Sequence, residues 1–293
     1  MDTTILLVGH GSRAESGNKE VQQFAEQWQQ RNPGWNIEVC FIEFAEVLLA
    51  EGLEKAASGA KRVIAVPLIL NAAAHVKLEI PEAIDQAREK FPDVEFIYAK
   101  HLGVTEEIRA VMHRRLSHVH HQLKHPDPKT TGVVLLGRGS SDMVANSEVA
   151  KLARQLFEGA EHDLVEIAFT GITYPRLETV VQRQVRLGMM QVIILPYYLF
   201  DGRLIQRIKE QVEGLEKQYP QIRFGLADYI GFESEIFQLM DQRVNDCLEH
   251  TAGAMMECDG CPYKEAGDHG HSHSHGHDDH KPTCTHAHSH GAK

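Results

Sequence analysis

The chain has 293 residues, of which 42% are hydrophobic, and its formal net charge is −11. This length suits two domains, and the acidic balance argues against general nucleic-acid binding, which needs a basic face. The first residues do not resemble a signal peptide, and no apolar run approaches the roughly 20 residues that span a bilayer. The five irregularly spaced cysteines do not form a disulfide pattern, so we expect a cytoplasmic protein without membrane contact.

Apolar strands alternate with amphipathic helices from the first residues onward. In the first half the pattern predicts strands at about Ile5–Val8, Ile37–Ile42, Arg62–Leu70 and Val94–Tyr98. It predicts helices at about Gly17–Gln30, Val47–Ala57, Ile80–Lys90 and Thr105–Leu123. Strands and helices that alternate in this way favour a parallel sheet with helices on both faces.

The second half repeats this order. Val133–Ser140 matches Ile5–Ser12 after 128 residues, and Ile167–Phe169 matches Val39–Phe41 at the same spacing. A third block, Val192–Pro196, matches the third strand after 129 residues, and we expect the buried strand to run on to Phe200. The fold class is therefore predicted to be α/β, with two tandem homologous parallel-sheet domains that face each other across a cleft.

The chain divides into two predicted domains and a tail. We predict an N-terminal α/β domain at residues 1–125 that holds the metal site, and a C-terminal α/β domain at 129–250 without metal ligands. The proline-broken linker at about 125–129 separates them. Residues 251–293 are rich in Cys, His, Asp and Gly and cannot bury a core, so we expect a disordered tail there.

Three polar side chains of the first half stand near the carboxyl ends of predicted strands, where open parallel sheets bind their ligands. His10 follows the first strand, Glu43 ends the second, and His75 follows the third. Two imidazoles and a carboxylate are suitable ligands for a divalent first-row metal ion and also suit proton removal near pH 7. Each of these residues alone is more often an ordinary polar residue of a surface loop, but the three together predict a metal and catalytic site.

The second half carries different side chains at the same positions. Arg138 replaces His10, Gly171 replaces Glu43, and Leu204, next to Arg203, replaces His75. Arginine suits bidentate carboxylate binding, so Arg138 and Arg203 are candidates for holding an acidic ligand. The alternative is that both guanidinium groups are only solvated.

These segments resemble a known family. Val8–Ser12, Phe41–Ala45 and the stretch from Pro67 to Val76 look like class II chelatases, and most of all like the long, internally duplicated CbiX-type sirohydrochlorin cobaltochelatases. The resemblance covers about residues 1–250. It implies ATP-independent insertion of Co²⁺, as substrate, into the acidic tetrapyrrole sirohydrochlorin during cobalamin synthesis.

The resemblance also implies residue roles. His10 and His75 would bind the metal ion and take up the pyrrole protons, with help from Glu43. Ser12, Arg138 and Arg203 are our candidates for binding the macrocycle. The duplication suggests that one chain supplies the whole cleft, which leaves a monomer or a homodimer open.

The predicted tail carries a second set of metal-binding side chains. Cys258 and Cys261 have metal or redox spacing, and nine histidines follow between His269 and His290. A 4Fe–4S cluster within one chain would also need Cys247 and Cys284. A zinc or cobalt site shared with histidines and free thiols are the alternatives.

The residues alone leave two other functions open. One is a ferrochelatase for siroheme, which would use the same site with iron. The other is a metal-storage or metallochaperone protein, which the histidine-rich tail alone would support.

Overall fold

The computed structural model describes residues 2–123 and 127–250. In the first half, strands and α-helices alternate as β1 (Thr3–Gly9), α1 (Glu15–Arg31), β2 (Ile37–Phe41), α2 (Leu49–Ala57), β3 (Arg62–Pro67), α3 (Ile80–Lys90), β4 (Glu95–Tyr98) and α4 (Glu106–Gln122). The second half continues as β5 (Thr131–Gly137), α5 (Met143–Gly159), β6 (Val165–Phe169), α6 (Leu177–Arg186), β7 (Gln191–Pro196), α7 (Arg203–Gln218), β8 (Arg223–Leu226) and α8 (Ser234–Leu248).

The strands form two parallel sheets with one topology. Their strand orders are β2-β1-β3-β4 and β6-β5-β7-β8. The registers also correspond: Leu7 pairs with Val39 and Val66, and the equivalent Leu135 pairs with Ile167 and Leu195. The predicted fold class, two tandem parallel-sheet α/β units, is therefore confirmed.

The two halves share one hydrophobic core. A single cluster of buried side chains includes β1 and α1 from the first half and β5 and α8 from the second. Phe24 of α1 stacks on Phe237 of α8 with ring centroids 4.2 Å apart and planes 3° apart. Two further clusters, each confined to one half, fill the opposite faces of the two sheets.

Helices pack reciprocally between the halves. The α1 helix packs on α8, and Trp28 Nε1 donates a hydrogen bond of 2.7 Å to Asp241. The equivalent pair is α5 and α4, which are so close that a Cβ on Gly159 would overlap the His113 ring. Each half thus presents the same surface to the other, and all described residues belong to one compact unit. The domain boundary near 125–129 stays a prediction.

The segment after β3 differs most from the prediction. The strand ends at Pro67 rather than at Leu70, and a π-helix at His75–Glu79 precedes α3. Pro81 lies in the first turn of α3 and has no N–H to donate to the preceding turn, which explains why a wider turn forms there. In the second half Glu210 stands at the corresponding position, and α7 is α-helical from Arg203.

None of the helices within 2–123 and 127–250 has the length and apolar character needed to cross a membrane. The predicted tail at 251–293 lies outside the described residues.

Candidate metal centre

His10, Glu43 and His75 converge at the carboxyl edge of the first sheet. His10 directly follows β1, Glu43 lies two residues beyond β2, and His75 is the first residue of the π-helix. Because β1 lies between β2 and β3, the loops that follow these strands are neighbours. One ligand atom from each of the three side chains lies within 4.8 Å of the others. The structure therefore brings together the three candidate residues that follow the strands of the first sheet.

The distances suit a small cation. His10 Nδ1 lies 3.5 Å from Glu43 Oε1, and the rings of His10 and His75 are 4.8 Å apart in an edge-to-face arrangement. The three side chains are neither buried nor fully exposed, so a ligand from solvent can reach them. Two nitrogen donors and one oxygen donor leave coordination positions open, as a site that receives and passes on a metal ion needs.

Glycine allows the first two loops to approach each other. Gly11 has a φ of +90°, and a Cβ on it would overlap the Glu43 carbonyl oxygen. The Glu43 N–H donates to the His10 carbonyl at 3.1 Å, so the backbone itself ties the two ligand-bearing loops together. The exposed Phe44 that follows also has a positive φ, of 53°.

The surroundings of His10 favour its neutral ring. Burial lowers the pKa of His10 below its usual value, and the charge of Arg138 and the nearby His75 lower it further. A hydrogen bond to the Gly11 carbonyl and the Glu43 carboxylate oppose this shift. A lowered pKa favours the unprotonated ring at pH 7, which is the form that binds metal.

A second carboxylate adjoins His75. Glu79, one turn later, places Oε1 2.9 Å from His75 Nδ1. The approach lacks the alignment of a hydrogen bond, so the contact is electrostatic. The Glu79 carboxylate thus adds negative charge next to the candidate site. Sequence reasoning missed Glu79, although its spacing of four helical residues from His75 is a signal for it.

Arg138 lies against the first-half site. Its Nη1 is 3.0 Å from His10 Nε2, so equivalent residues of the two repeats touch each other. Gly171 and Leu204 stand at the other two positions. Among the residues that the structure describes, His10, Glu43 and His75 form the only group of three side chains placed to hold a metal ion.

Ser12 and Arg203 are placed differently from Arg138. The Ser12 hydroxyl accepts a hydrogen bond from the Ala14 N–H at 3.1 Å, and Ser140 makes the same turn in the second half. Arg203 is exposed at the first residue of α7. Binding of the macrocycle by Ser12 or Arg203 stays a prediction.

Asn18 is a supporting residue that the sequence analysis did not identify. Its amide accepts from the Ser12 N–H and donates to the carbonyls of Ser12 and Phe44, and so joins the β1 and β2 loops. Asn146 makes the same two contacts with Ser140 in the second half. The signal was available, since both asparagines stand at the 128-residue repeat spacing.

Apolar side chains are exposed on and next to the loops that carry the site and the equivalent loops of the second half. Phe44, Leu48, Ile172 and Tyr174 lie on the loops, whereas Leu78 lies in the π-helix and Met143 and Val144 lie in the first turn of α5. Exposed apolar surface of this kind, next to a few convergent polar groups, is typical of a site for a mostly apolar ligand.

The predicted cysteine site is only partly within the described residues. Cys258, Cys261 and Cys284 lie outside them, as do the tail histidines. Cys247 is buried on α8 within the shared core, with 1% of its surface exposed. A cluster that used Cys247 would therefore require α8 to repack.

The fold and the site define a class of protein: a duplicated α/β protein with three potential metal ligands grouped at one edge of its first sheet. The CbiX family model matches the chain twice, at residues 4–119 and 132–247. The chain belongs to the CbiX family.

Relatives with curated functions include both cobalt and iron enzymes. The chain is 38% identical over 264 residues to a sirohydrochlorin cobaltochelatase of Priestia megaterium, with 89% of this chain and 84% of the relative covered. It is 33% identical over 245 residues to a sirohydrochlorin ferrochelatase of the same organism, with 83% and 90% covered.

A solved relative has the same fold over most of its length. The sirohydrochlorin chelatase SirB from Bacillus subtilis subspecies spizizenii, in complex with cobalt, superposes with a TM-score of 0.71 and 28% identity. The match covers 86% of this chain and 98% of SirB.

Proposed function

We propose that this protein inserts Co²⁺ into sirohydrochlorin without ATP, and so forms cobalt-sirohydrochlorin for cobalamin synthesis. The observation that carries the proposal is the convergence of His10, Glu43 and His75 within 4.8 Å at an accessible sheet edge. Membership of the CbiX family and similarity to a sirohydrochlorin cobaltochelatase support it.

The residues match what the reaction demands. Insertion must replace water on the metal ion and remove two protons from pyrrole nitrogens. His10 and His75 supply neutral nitrogen ligands in place of water, and each ring can accept a proton once it has released the metal ion. Glu43 adds the negative charge that holds a divalent cation near two neutral rings.

The substrate also explains the surroundings of the site. Sirohydrochlorin combines an apolar macrocycle with eight peripheral carboxylates. The exposed apolar side chains on and next to the loops of both halves suit the ring, and the exposed Arg138 suits a carboxylate. In this proposal the second half binds the macrocycle and the first half handles metal ion and protons.

Iron is the second candidate metal. A site of two nitrogens and one oxygen accepts Co²⁺ and Fe²⁺ alike. We favour cobalt because identity to the P. megaterium cobaltochelatase is 38%, against 33% for the ferrochelatase of that organism. Metal storage without catalysis is favoured by the tail composition alone.

The test is to mix purified protein with sirohydrochlorin and Co²⁺ or Fe²⁺ under anaerobic conditions and to follow the absorption spectrum. We expect Co²⁺ to enter faster than in a protein-free control and faster than Fe²⁺ at equal concentration. Faster insertion of Fe²⁺ would support the ferrochelatase, and no acceleration with either metal would leave only metal storage.

Variants test whether the activity depends on the proposed site. His10→Ala should abolish insertion, whereas His118→Ala, which removes an exposed imidazole of α4, should not change it. Removal of residues 252–293 should leave insertion largely intact at saturating metal. Loss of activity on truncation, together with an active His10→Ala variant, would contradict the proposed site.

A further inference from the structure

Arg138 is in contact with a candidate metal ligand of the opposite half. Its guanidinium Nη1 lies 3.0 Å from Nε2 of His10. A guanidinium only donates hydrogen bonds, so Nε2 must be the acceptor and must carry no proton. The proton then resides on Nδ1, which lies 3.2 Å from the Gly11 carbonyl oxygen and can donate to it. Two independent contacts thus select the same tautomer.

This contact uses the nitrogen that a metal ion needs. A neutral imidazole has one ring lone pair available to a cation, and in His10 the guanidinium occupies it. Transfer of the proton to Nε2 does not solve the problem, because it would set two donors against each other at 3.0 Å. Whichever nitrogen of His10 coordinates, the guanidinium of Arg138 must first move away.

We propose that the hydrogen bond from Arg138 blocks metal binding by His10, and that a carboxylate of the tetrapyrrole substrate removes this block by binding Arg138. We call the contact between Arg138 and His10 the latch. This inference rests on the proposed function, since it requires an acidic macrocycle. A guanidinium binds a carboxylate through two charge-assisted hydrogen bonds, which are stronger than one bond to a neutral ring. Arg138 is exposed, so an incoming carboxylate can reach it. Arg138 is a positioning residue in this scheme.

The latch imposes an order on binding. Before the macrocycle arrives, a metal ion competes with the Arg138 hydrogen bond and also meets its positive charge. Once a carboxylate holds the guanidinium, both obstacles are removed, and His10 is free beside Glu43 and His75. By thermodynamic linkage, macrocycle and metal ion then strengthen each other's binding.

The experiment is a Co²⁺ titration of the full-length protein without tetrapyrrole. Histidines elsewhere in the chain can also bind cobalt, so each protein is compared with the same protein carrying His10→Ala. The difference is the His10-dependent binding. Arg138→Ala should increase the His10-dependent affinity for Co²⁺ by about tenfold, the value of one charge-assisted hydrogen bond. Arg138→Met, which retains most of the side-chain stem, should do the same.

Arg13→Ala is the matched control. Arg13 is also exposed and lies three residues from His10, but its guanidinium lies over the Phe44 ring, 4.7 Å from its centre. Arg13→Ala removes the same charge without removing the contact with His10. A latch predicts no change in Arg13→Ala, and an equal gain in both variants would overturn the latch in favour of general repulsion.

Order of mixing gives a second readout. With the native protein, preincubation with sirohydrochlorin should give faster insertion than preincubation with Co²⁺, and Arg138→Ala should lose this difference. Unchanged cobalt affinity in both Arg138 variants would overturn the latch and leave the proposed function intact. Absence of any His10-dependent cobalt binding would instead contradict the proposed metal site itself.

Discussion

The two halves of this chain have nearly the same backbone and different chemistry. In the first half the loops after the three adjacent strands carry His10, Glu43 and His75, and in the second half the equivalent positions hold Arg138, Gly171 and Leu204. Strand order and register are alike in both. The shared sheet topology therefore sets the positions of these loops, and among the described residues only those of the first half carry a group of candidate metal ligands.

Duplication within one chain allows this difference. Positions 10 and 138 touch each other, so two identical units in this arrangement would set the same side chain against itself. With both units in a single chain, the two sides of the contact can change separately. One side then carries the candidate ligand His10, and the other carries the cationic Arg138.

The largest expected effect compares His75 with Leu204. His75→Ala should lower kcat/KM for metal insertion by about a hundredfold or more, because it removes a proposed ligand and proton acceptor. Leu204→Ala, at the equivalent position, should stay within about threefold, since it removes neither. Steady-state insertion kinetics check both, and similar losses would show that the halves share the chemistry.

The next effect concerns the glycines of the paired loops. Gly11 and Gly139 have φ values of +90° and +86°, and a Cβ on either would overlap a carbonyl oxygen of the neighbouring loop. Alanine at either should lower the free energy of unfolding by about 2 to 4 kcal/mol.

Gly171→Ala is the control for these two variants, because its Cβ would meet only the Arg138 carbonyl at 3.8 Å. It should be tolerated, and urea unfolding gives the comparison. Equal destabilisation by all three substitutions would mean that the close approach of the neighbouring loop is not what requires glycine at Gly11 and Gly139.

A third prediction concerns acid stability, to which both halves contribute. Burial lowers the pKa of His101 in the first half, and of His162 in the second, to about 4. In the unfolded chain both should titrate near 6.5, so the unfolded state binds more protons between these values. Stability should therefore be complete above about pH 6.5 and fall as the pH decreases toward 4.

The upper limit of this loss is about 3 kcal/mol for each histidine. Urea unfolding at several pH values measures it. His101→Gln and His162→Gln should each flatten the profile, and a profile unchanged by either substitution would mean that the histidine is not buried in its neutral form.

The smallest predicted effect concerns Arg138, in the second half. Arg138→Ala should raise the KM for sirohydrochlorin by about tenfold, with little change in kcat at saturating metal, because a peripheral carboxylate loses its partner. Arg176→Ala removes an arginine that lies over the Tyr174 ring and should have a smaller effect. A decrease confined to kcat would place Arg138 in the chemical step.

The strand and helix pattern was predictable from the sequence, and so was the meeting of three candidate ligands at one sheet edge, whereas their role in metal binding stays a prediction. Runs of apolar residues at repeated spacing defined both sheets, and polar residues after adjacent parallel strands had to meet at one edge. The prediction was wrong where burial continues beyond a strand. Leu68 and Tyr197 are buried, although β3 and β7 end just before them at Pro67 and Pro196. Hydrophobicity records burial and not hydrogen bonding to a neighbouring strand.

Local pattern determined the repeat and the three candidate ligands, because each depends on residues close together in the chain or on the shared edge of one sheet. The strand order came from the structure. Only the tertiary structure decided what lies between the halves. The stacking of Phe24 on Phe237 and the contact of Arg138 with His10 join residues more than a hundred positions apart. Such contacts depend on how two finished units pack, and no spacing within either unit encodes that.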